Sequence, residues 1–379
     1  MVFDAIGSAV YLAAAMGWEI LWGLILGFTL SAVVDVLVSK AELQKLVPDD
    51  SAASIIRASL LGAASSSCSY AAVAIARSIF RKGGDFTAAM AFQFASTNLV
   101  IELGVLLVVL IGWSFGAAEV IGGPVMIALL VVMFRWLLRP GMVEAARKQA
   151  EKGLSGRMEG HAGMATMARQ ATWRARLTSA DGWTTISYHF VMNWSMLWKE
   201  IAVGLLISGA LGALVPDSFW HQVFLTDDPD LSKIWGPVIG PLIAVASFTC
   251  SIGNVPLAAV LWNGGISFGG VVAFIFGDLI ILTILNIYRK YYGWRMSLFL
   301  AATFYAAMVV AALAVELLFG AFDWIPAERN ANVGEAAFTL NYTTVLNVLT
   351  LLLAGWLYWR YRRTGGPEMM REMEGGAGD

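Results

Sequence analysis

Ser65-Ser66-Ser67-Cys68-Ser69 stands at the centre of an otherwise apolar stretch, 54–80, and Ser247-Phe248-Thr249-Cys250-Ser251-Ile252-Gly253-Asn254 at the centre of another, 236–262. Each stretch is long enough to span a bilayer core of about 30 Å, which takes roughly 20 residues at 1.5 Å apiece. A continuous helix has no need of such a polar cluster. Unwound backbone at membrane depth is tolerated only where protein or a water-filled cavity satisfies its polar groups, and transporters build binding sites from such breaks. Taken singly, either cluster is equally well explained by close helix packing through small residues.

The two clusters are related. Sliding the chain along itself until Cys68 meets Cys250 also sets Ser65 on Ser247, Ser69 on Ser251, Gly83 on Gly265, Phe86 on Phe268 and Phe92 on Phe274. A slip by a single position extends the match outward, to Glu19-Ile20 with Glu200-Ile201, Pro48-Asp49 with Pro229-Asp230, and Gly112-Trp113 with Gly293-Trp294. The repeat covers 17–113 and 198–294. The Glu, Pro-Asp, Cys-Ser and Gly-Trp pairs lie outside the common apolar alphabet, so they argue against chance similarity of hydrophobic segments.

Composition places the repeat in a membrane. Of 379 residues, 58% are apolar and only 14% are Asp, Glu, Lys or Arg, against roughly 45–50% and about 25% in soluble domains. A net charge of −2 offers no field for a polyanion, which excludes nucleic-acid binding. Two cysteines and three scattered histidines exclude a disulfide framework and a soluble zinc site. Hydropathy predicts seven full spans, over 18–38, 86–112, 116–138, 198–215, 268–287, 296–320 and 338–359, many with Trp or Tyr at their ends. No basic residue precedes Lys40, so the first apolar stretch lacks the charged start of a cleaved leader and is expected to be retained.

Charge placement orients the copies, because cytoplasmic loops carry the excess Lys and Arg. Segment 139–180 holds eight basic residues against three acidic ones and is expected inside. In the first copy Arg77, Arg81 and Lys82 follow the cysteine segment, whereas in the second Arg289, Lys290 and Arg295 follow the next span. Both copies obey the rule only if they are inverted, which requires each cysteine segment to re-enter rather than cross. The expected fold is an all-α polytopic membrane protein of two inverted repeats, each with a broken or re-entrant cysteine-containing helical hairpin. Its parts are a first membrane repeat over 1–138, a cytoplasmic linker with an interfacial helix over 139–197, a second repeat over 198–320, an extra transmembrane helix within 321–363 and a disordered tail over 364–379.

The chemistry on offer is that of a carrier. No phosphate-binding glycine loop appears, no histidine lies in an expected span to serve a serine nucleophile, and no cofactor is expected. Each hairpin brings one thiol among hydroxyls, and soft thiolates select soft ligands. The expected substrate-binding set is Cys68, Cys250, Ser67, Ser69, Thr249, Ser251, Asn254 and Asn98. Ionisable residues deep in a span are costly and therefore functional candidates, so Glu102 and Asp278 are assigned to ion coupling. Asp278 aligns with Ser96, which makes the copies chemically unequal there.

Ser67-Cys68-Ser69-Tyr70, Gly83, Ala91-Phe92, Ala95-Ser96-Thr97-Asn98-Leu99-Val100 and Cys250-Ser251-Ile252-Gly253-Asn254-Val255-Pro256 resemble the ArsP-like predicted permease family. The resemblance covers the two repeats, and implies efflux of trivalent organoarsenicals across a bacterial inner membrane. Many relatives carry Cys-Ser-Cys-Gly followed by Pro. Here Tyr70 and Ala71 replace the second Cys and the Gly in the first copy, and Ile252 replaces the second Cys in the second, so one chain cannot supply three thiols. The expectation is a multi-pass permease that is not an enzyme and moves a small thiophilic solute by alternating access. Its expected partners are that solute and membrane lipids, with homodimerisation left open. A sulfur compound or metal ion is the alternative substrate, and a non-transporting membrane subunit or an intramembrane enzyme the alternative class.

Overall fold

The computed structural model describes residues 2–37, 49–65, 69–81, 83–151, 177, 179–215, 217–247, 251–331, 342–368 and 370. Among these, secondary structure is helical throughout. The first half comprises α1 (Val2–Leu37), α2 (Ala52–Ser65), α3 (Ser69–Arg81), α4 (Phe86–Asn98), α5 (Ile101–Leu110), α6 (Trp113–Leu137) and α7 (Pro140–Glu151). The second comprises α8 (Ala180–Leu214), α9 (Asp217–Phe224), α10 (Pro229–Ser247), α11 (Ser251–Asn263), α12 (Phe268–Phe276), a 3-10 turn (Gly277–Ile280), α13 (Leu282–Tyr292), α14 (Trp294–Ala321) and α15 (Tyr342–Arg363).

The residues that interrupt the apolar stretches are the ones at which helices stop. α2 ends at Ser65 and α3 starts at Ser69, while α10 ends at Ser247 and α11 starts at Ser251. In each terminal turn the serine hydroxyl donates back to a carbonyl of the preceding turn, Ser65 Oγ to Gly62 O at 3.1 Å and Ser247 Oγ to Ala244 O at 2.9 Å, a local bond that competes with helix continuation. The next helix is interrupted too, at Leu99–Val100 in the first half and at Ile281 in the second, and the shift that pairs the cysteines also pairs Leu99 with Ile281.

Close approaches fix the directions of these arms. Gly236 faces Ser267 and Gly270, Gly240 faces Gly270 and Phe274, and Gly277 faces Ala244, so α10 and α12 run the same way. α11 joins α12 through a tight reversal and runs back against it. In the first half Gly62 of α2 meets Phe92 and Ala95 of α4, the counterparts of Phe274 and Gly277. The reversals between second arm and next helix share one design. Gly83 and Gly265 take φ of 98° and 106°, a conformation open to glycine. Gly83 N bonds Phe80 O and Gly84 N bonds Ile79 O, as Gly265 N bonds Trp262 O and Ile266 N bonds Leu261 O. Asp85 then caps α4 through Ala88 N, and Ser267 caps α12 through Gly270 N.

Each reversal is held by an arginine. The Arg147 guanidinium of α7 lies 4.2 Å from the Phe80 ring centroid and donates to Phe80 O and Gly84 O. Arg329, which follows α14, lies 4.2 Å from the Trp262 ring and donates to Trp262 O at 2.8 Å and Ile266 O at 2.6 Å. The shift that sets Cys68 on Cys250 also sets Arg147 on Arg329, Phe80 on Trp262 and Gly84 on Ile266, so the internal similarity reaches beyond 113 and 294. The two clasps sit at opposite ends of α6. Phe134, near its C-terminal end, stacks with Phe86 and approaches Phe299 of α14 at 5.3 Å. Phe115, near its N-terminal end, meets Trp262 at 5.1 Å and Phe268 at 4.7 Å, and Phe268 in turn meets Phe319 of α14. Hence α6 and α14 are antiparallel.

By length and composition, three helical segments among the described residues are able to cross a membrane, Phe86–Leu110, Trp113–Leu137 and Trp294–Ala321. Two bent pairs, Ile6–Trp18 with Ile20–Leu30 at 44° and Phe268–Ile280 with Leu282–Tyr292 at 41°, raise the number to as many as five among the described residues. The first helix begins at Val2, well before the expected residue 18. The end of the segment expected to carry an interfacial helix, 139–197, forms the first half of α8. Its Ile186, Ser187 and His189 are buried, Trp183 and Tyr188 pack on Trp356 and Tyr361 of α15, and Trp194 packs on Phe28 of α1. Polar Thr184, Thr185 and Asn193 lower the hydropathy of this stretch, yet no proline interrupts it, so tertiary packing completes a helix that hydropathy cuts short.

A Cβ on Gly240 would sit 2.4 Å from Gly270 O and 2.9 Å from Phe274 N. Gly240→Ala is therefore expected to destabilise the fold by about 1–3 kcal/mol, whereas Gly355→Ala, with nothing within 4 Å, leaves it unharmed. Thermal unfolding of the purified variants in detergent checks the contrast.

Candidate functional site

The starts of both second arms converge on one carboxylate. Asp278 lies in the 3-10 turn after α12 and is fully buried. Its Oδ2 accepts from Ser69 Oγ, the first residue of α3, at 2.6 Å. Ser251, the first residue of α11, lies close enough to Asp278 for its hydroxyl to act on the carboxylate, and it donates to Thr97 O of α4 at 3.4 Å. A helix start suits this task, since its free N–H groups and dipole favour a negative charge.

The remaining expected residues divide by position. Asn98, the last residue of α4, is fully buried, and its Nδ2 donates to Thr97 Oγ1 at 3.2 Å. Asn254 is buried in α11 with its side-chain amide 3.0 Å from Ser247 Oγ, which ties the end of α10 to the start of α11. Ser69, Ser251, Asn98 and Asp278 thus gather round the interrupted ends of α4 and α12. Glu102 is buried in the first turn of α5 at the contact with α1, where Gly27 leaves room for its Cβ. Ser67, Cys68, Thr249 and Cys250 lie outside the described residues.

Two participants escape the sequence reading. Glu119 of α6 is 2% exposed and close enough to Asp278 for their charges to interact. The rule that singles out Glu102 and Asp278 applies equally to it, because it falls inside the span expected over 116–138. Gln93 of α4 donates through Nε2 to the hydroxyl of Tyr288 on α13, both fully buried. This cross-link joins the two halves 195 residues apart in sequence and has no local signature.

Among the described residues no group of three or more His, Cys, Asp and Glu is arranged to hold a metal ion. A cavity of about 640 Å³ reaches the site from the side of α1, α5 and α6, with Asn98 and Glu119 as its amide and acidic groups and Trp22, Leu99, Val105 and Val109 among its apolar walls. A second, of about 650 Å³, lies between α1, α8 and α15, is walled by Phe190, Trp194, Trp198 and Tyr358, and contains none of the expected site residues.

Ser69→Ala removes the donor that lies 2.6 Å from Asp278 Oδ2. Weakening the pairing of that oxygen is expected to cost about 1–3 kcal/mol, read as a lowered unfolding temperature, while Ser251→Ala, with its long 3.4 Å bond to Thr97 O, costs less.

No solved structure matches the chain significantly. A curated relative from Mycobacterium tuberculosis, named "Putative permease Rv2963", is 56% identical over 340 residues, which cover 89% of this chain and 84% of the relative. The model of the ArsP_1 family, described as a predicted permease, matches residues 5–317. With a match that takes in both interrupted hairpins, Asp278 and Glu119, the chain belongs to this permease family.

Proposed function

We propose that the protein is a multi-pass inner-membrane permease of two inverted repeats that exports a small thiophilic solute, trivalent organoarsenicals foremost, by alternating access. The observation that carries the reading is the meeting of Ser69 and Ser251 at Asp278. These residues directly follow Cys68 and Cys250 in the chain, which supports a single site shared by both thiols. A monosubstituted trivalent arsenical has two exchangeable positions and so suits two thiolates. Ser67, Thr249, Asn254 and Asn98 complete the solute site, and Asp278 and Glu102 take part in ion coupling.

Inversion and re-entry are supported by the common direction of α10 and α12 and by the two arginine clasps at opposite ends of α6. Alternation is supported by unequal packing of equivalent elements. α1 packs on α5 and α8 on α11, whereas the counterparts, α8 with α13 and α1 with α3, are not packed closely among the described residues. A carrier built of repeats passes to its opposite-facing state by exchanging such contacts between its halves.

Everted vesicles or proteoliposomes without ATP are expected to take up a trivalent organoarsenical, and Cys68→Ser and Cys250→Ser each to abolish that flux in well-folded protein. Full flux in both variants would remove the thiols from the site. Flux of a sulfur compound or metal ion in place of the arsenical would reassign the substrate, and no flux above empty liposomes with any of them would refute the permease reading.

A further inference from the structure

The polar centre is rich in acceptors and short of donors. Asp278 Oδ1, Glu119 Oε1, Asn98 Oδ1 and Gln93 Oε1 are all buried without a hydrogen-bond partner. All four are oxygens with lone pairs that carry no hydrogen while the two carboxyl groups are ionised, and they come from α4, α6 and the 3-10 turn. Buried polar groups are almost always paired, and an uncompensated buried carboxylate is costly. What this centre lacks is a proton or a positive charge.

No side chain among the described residues supplies that charge. The buried arginine, Arg77, is turned to the Tyr291 ring at 4.2 Å and to Ala150 O at 2.8 Å, towards α7. The charge that reaches Glu119 is that of Asp278, and Tyr288 of α13 faces Asp278 as a further titratable group. The other elements packed there bring Ser69 and Ser251 from α3 and α11, and Gln93 and Asn98 from α4. Asp230 and Lys233 of α10 are exposed at its start, and Glu316 of α14 accepts from Gly269 N. Asn98 and Glu119 line one cavity.

We propose that Glu119 and Asp278 form one binding site for a single positive charge, a proton or a sodium ion, with Asn98 as a further oxygen ligand. Neither carboxylate has a carboxylate counterpart in the other half. The shift that pairs the cysteines sets Ser96 on Asp278 and Ala301 on Glu119. The scaffold is doubled but the charge site is single. Because Asp278 accepts from Ser69 and lies beside Ser251, its neutralisation is felt at the first residue of both second arms. Calling the bound charge the coupling ion rests on the permease reading, but its binding does not.

The test therefore uses no transported solute. Thermal unfolding of the full chain in detergent is followed with NaCl against choline chloride at constant ionic strength, and from pH 8.5 to 5.5 without sodium. A sodium site raises the wild-type midpoint with NaCl, and a proton site raises it with falling pH, by ligand linkage. Glu119→Gln and Asp278→Asn each flatten that response, whereas Glu144→Gln, on the exposed face of α7, retains it. If Asp278→Asn fails to fold, Glu119→Gln alone decides. A wild-type protein indifferent to both ions, or a Glu119→Gln variant with the full wild-type response, overturns the site. Failure of arsenical flux leaves this result untouched.

Discussion

A carboxylate and interrupted helices inside a bilayer must find their partners within the protein, because hydrocarbon offers none. In this chain the demand is concentrated at one point, where Ser69 donates to Asp278 and the starts of α3 and α11 come together beside it. The rest of the architecture follows from keeping that meeting in place. α2 and α10 must lie tightly on α4 and α12, which is why glycine occupies Gly62, Gly240 and Gly277, where a side chain would strike backbone or a neighbouring Cβ.

While their starts meet centrally, the far ends of α3 and α11 are fixed separately. Arg147 and Arg329 each stack on the aromatic residue that ends a second arm and cross-link two carbonyls of the following turn. Charge-assisted bonds of this kind are stronger than neutral ones, and the planar guanidinium serves both the ring and the carbonyls, a combination lysine cannot match. Each second arm therefore has one anchored end and one end that starts beside Asp278, with the Ser69 hydroxyl on the carboxylate and that of Ser251 on Thr97 O. Rigid bases with a chemically responsive centre are what a carrier requires if occupancy of its site is to bias a change of packing between α1, α8 and the rest.

Much of this was legible in residue pattern. The polar clusters mark where α2 and α10 stop, the internal repeat pairs Gly83 with Gly265 and predicts equivalent turns, and Asp278 stands out as a charge in an apolar run. Other features needed the fold. The repeat at Arg147 and Arg329 lies in segments with little surrounding similarity, and only their common grip on residues 80 and 84, and 262 and 266, reveals it. The early start of α8 was hidden because tertiary burial, not hydropathy, holds its first turns, whereas the early start of α1 lies in an apolar run that continues into residue 18. Glu119 satisfies the same rule as Glu102, and the fold shows that it is the carboxylate that lies near Asp278.

The central claim is that both halves contribute to one solute site. Its most direct measurement is the stoichiometry of a monosubstituted trivalent arsenical bound to the purified chain, read by intact-mass spectrometry together with a count of free thiols. The account predicts one arsenical per chain with Cys68 and Cys250 both consumed, and loss of this tight adduct in either Cys→Ser variant. Two arsenicals per chain, each on a single thiol and each unaffected by removal of the other cysteine, would contradict it.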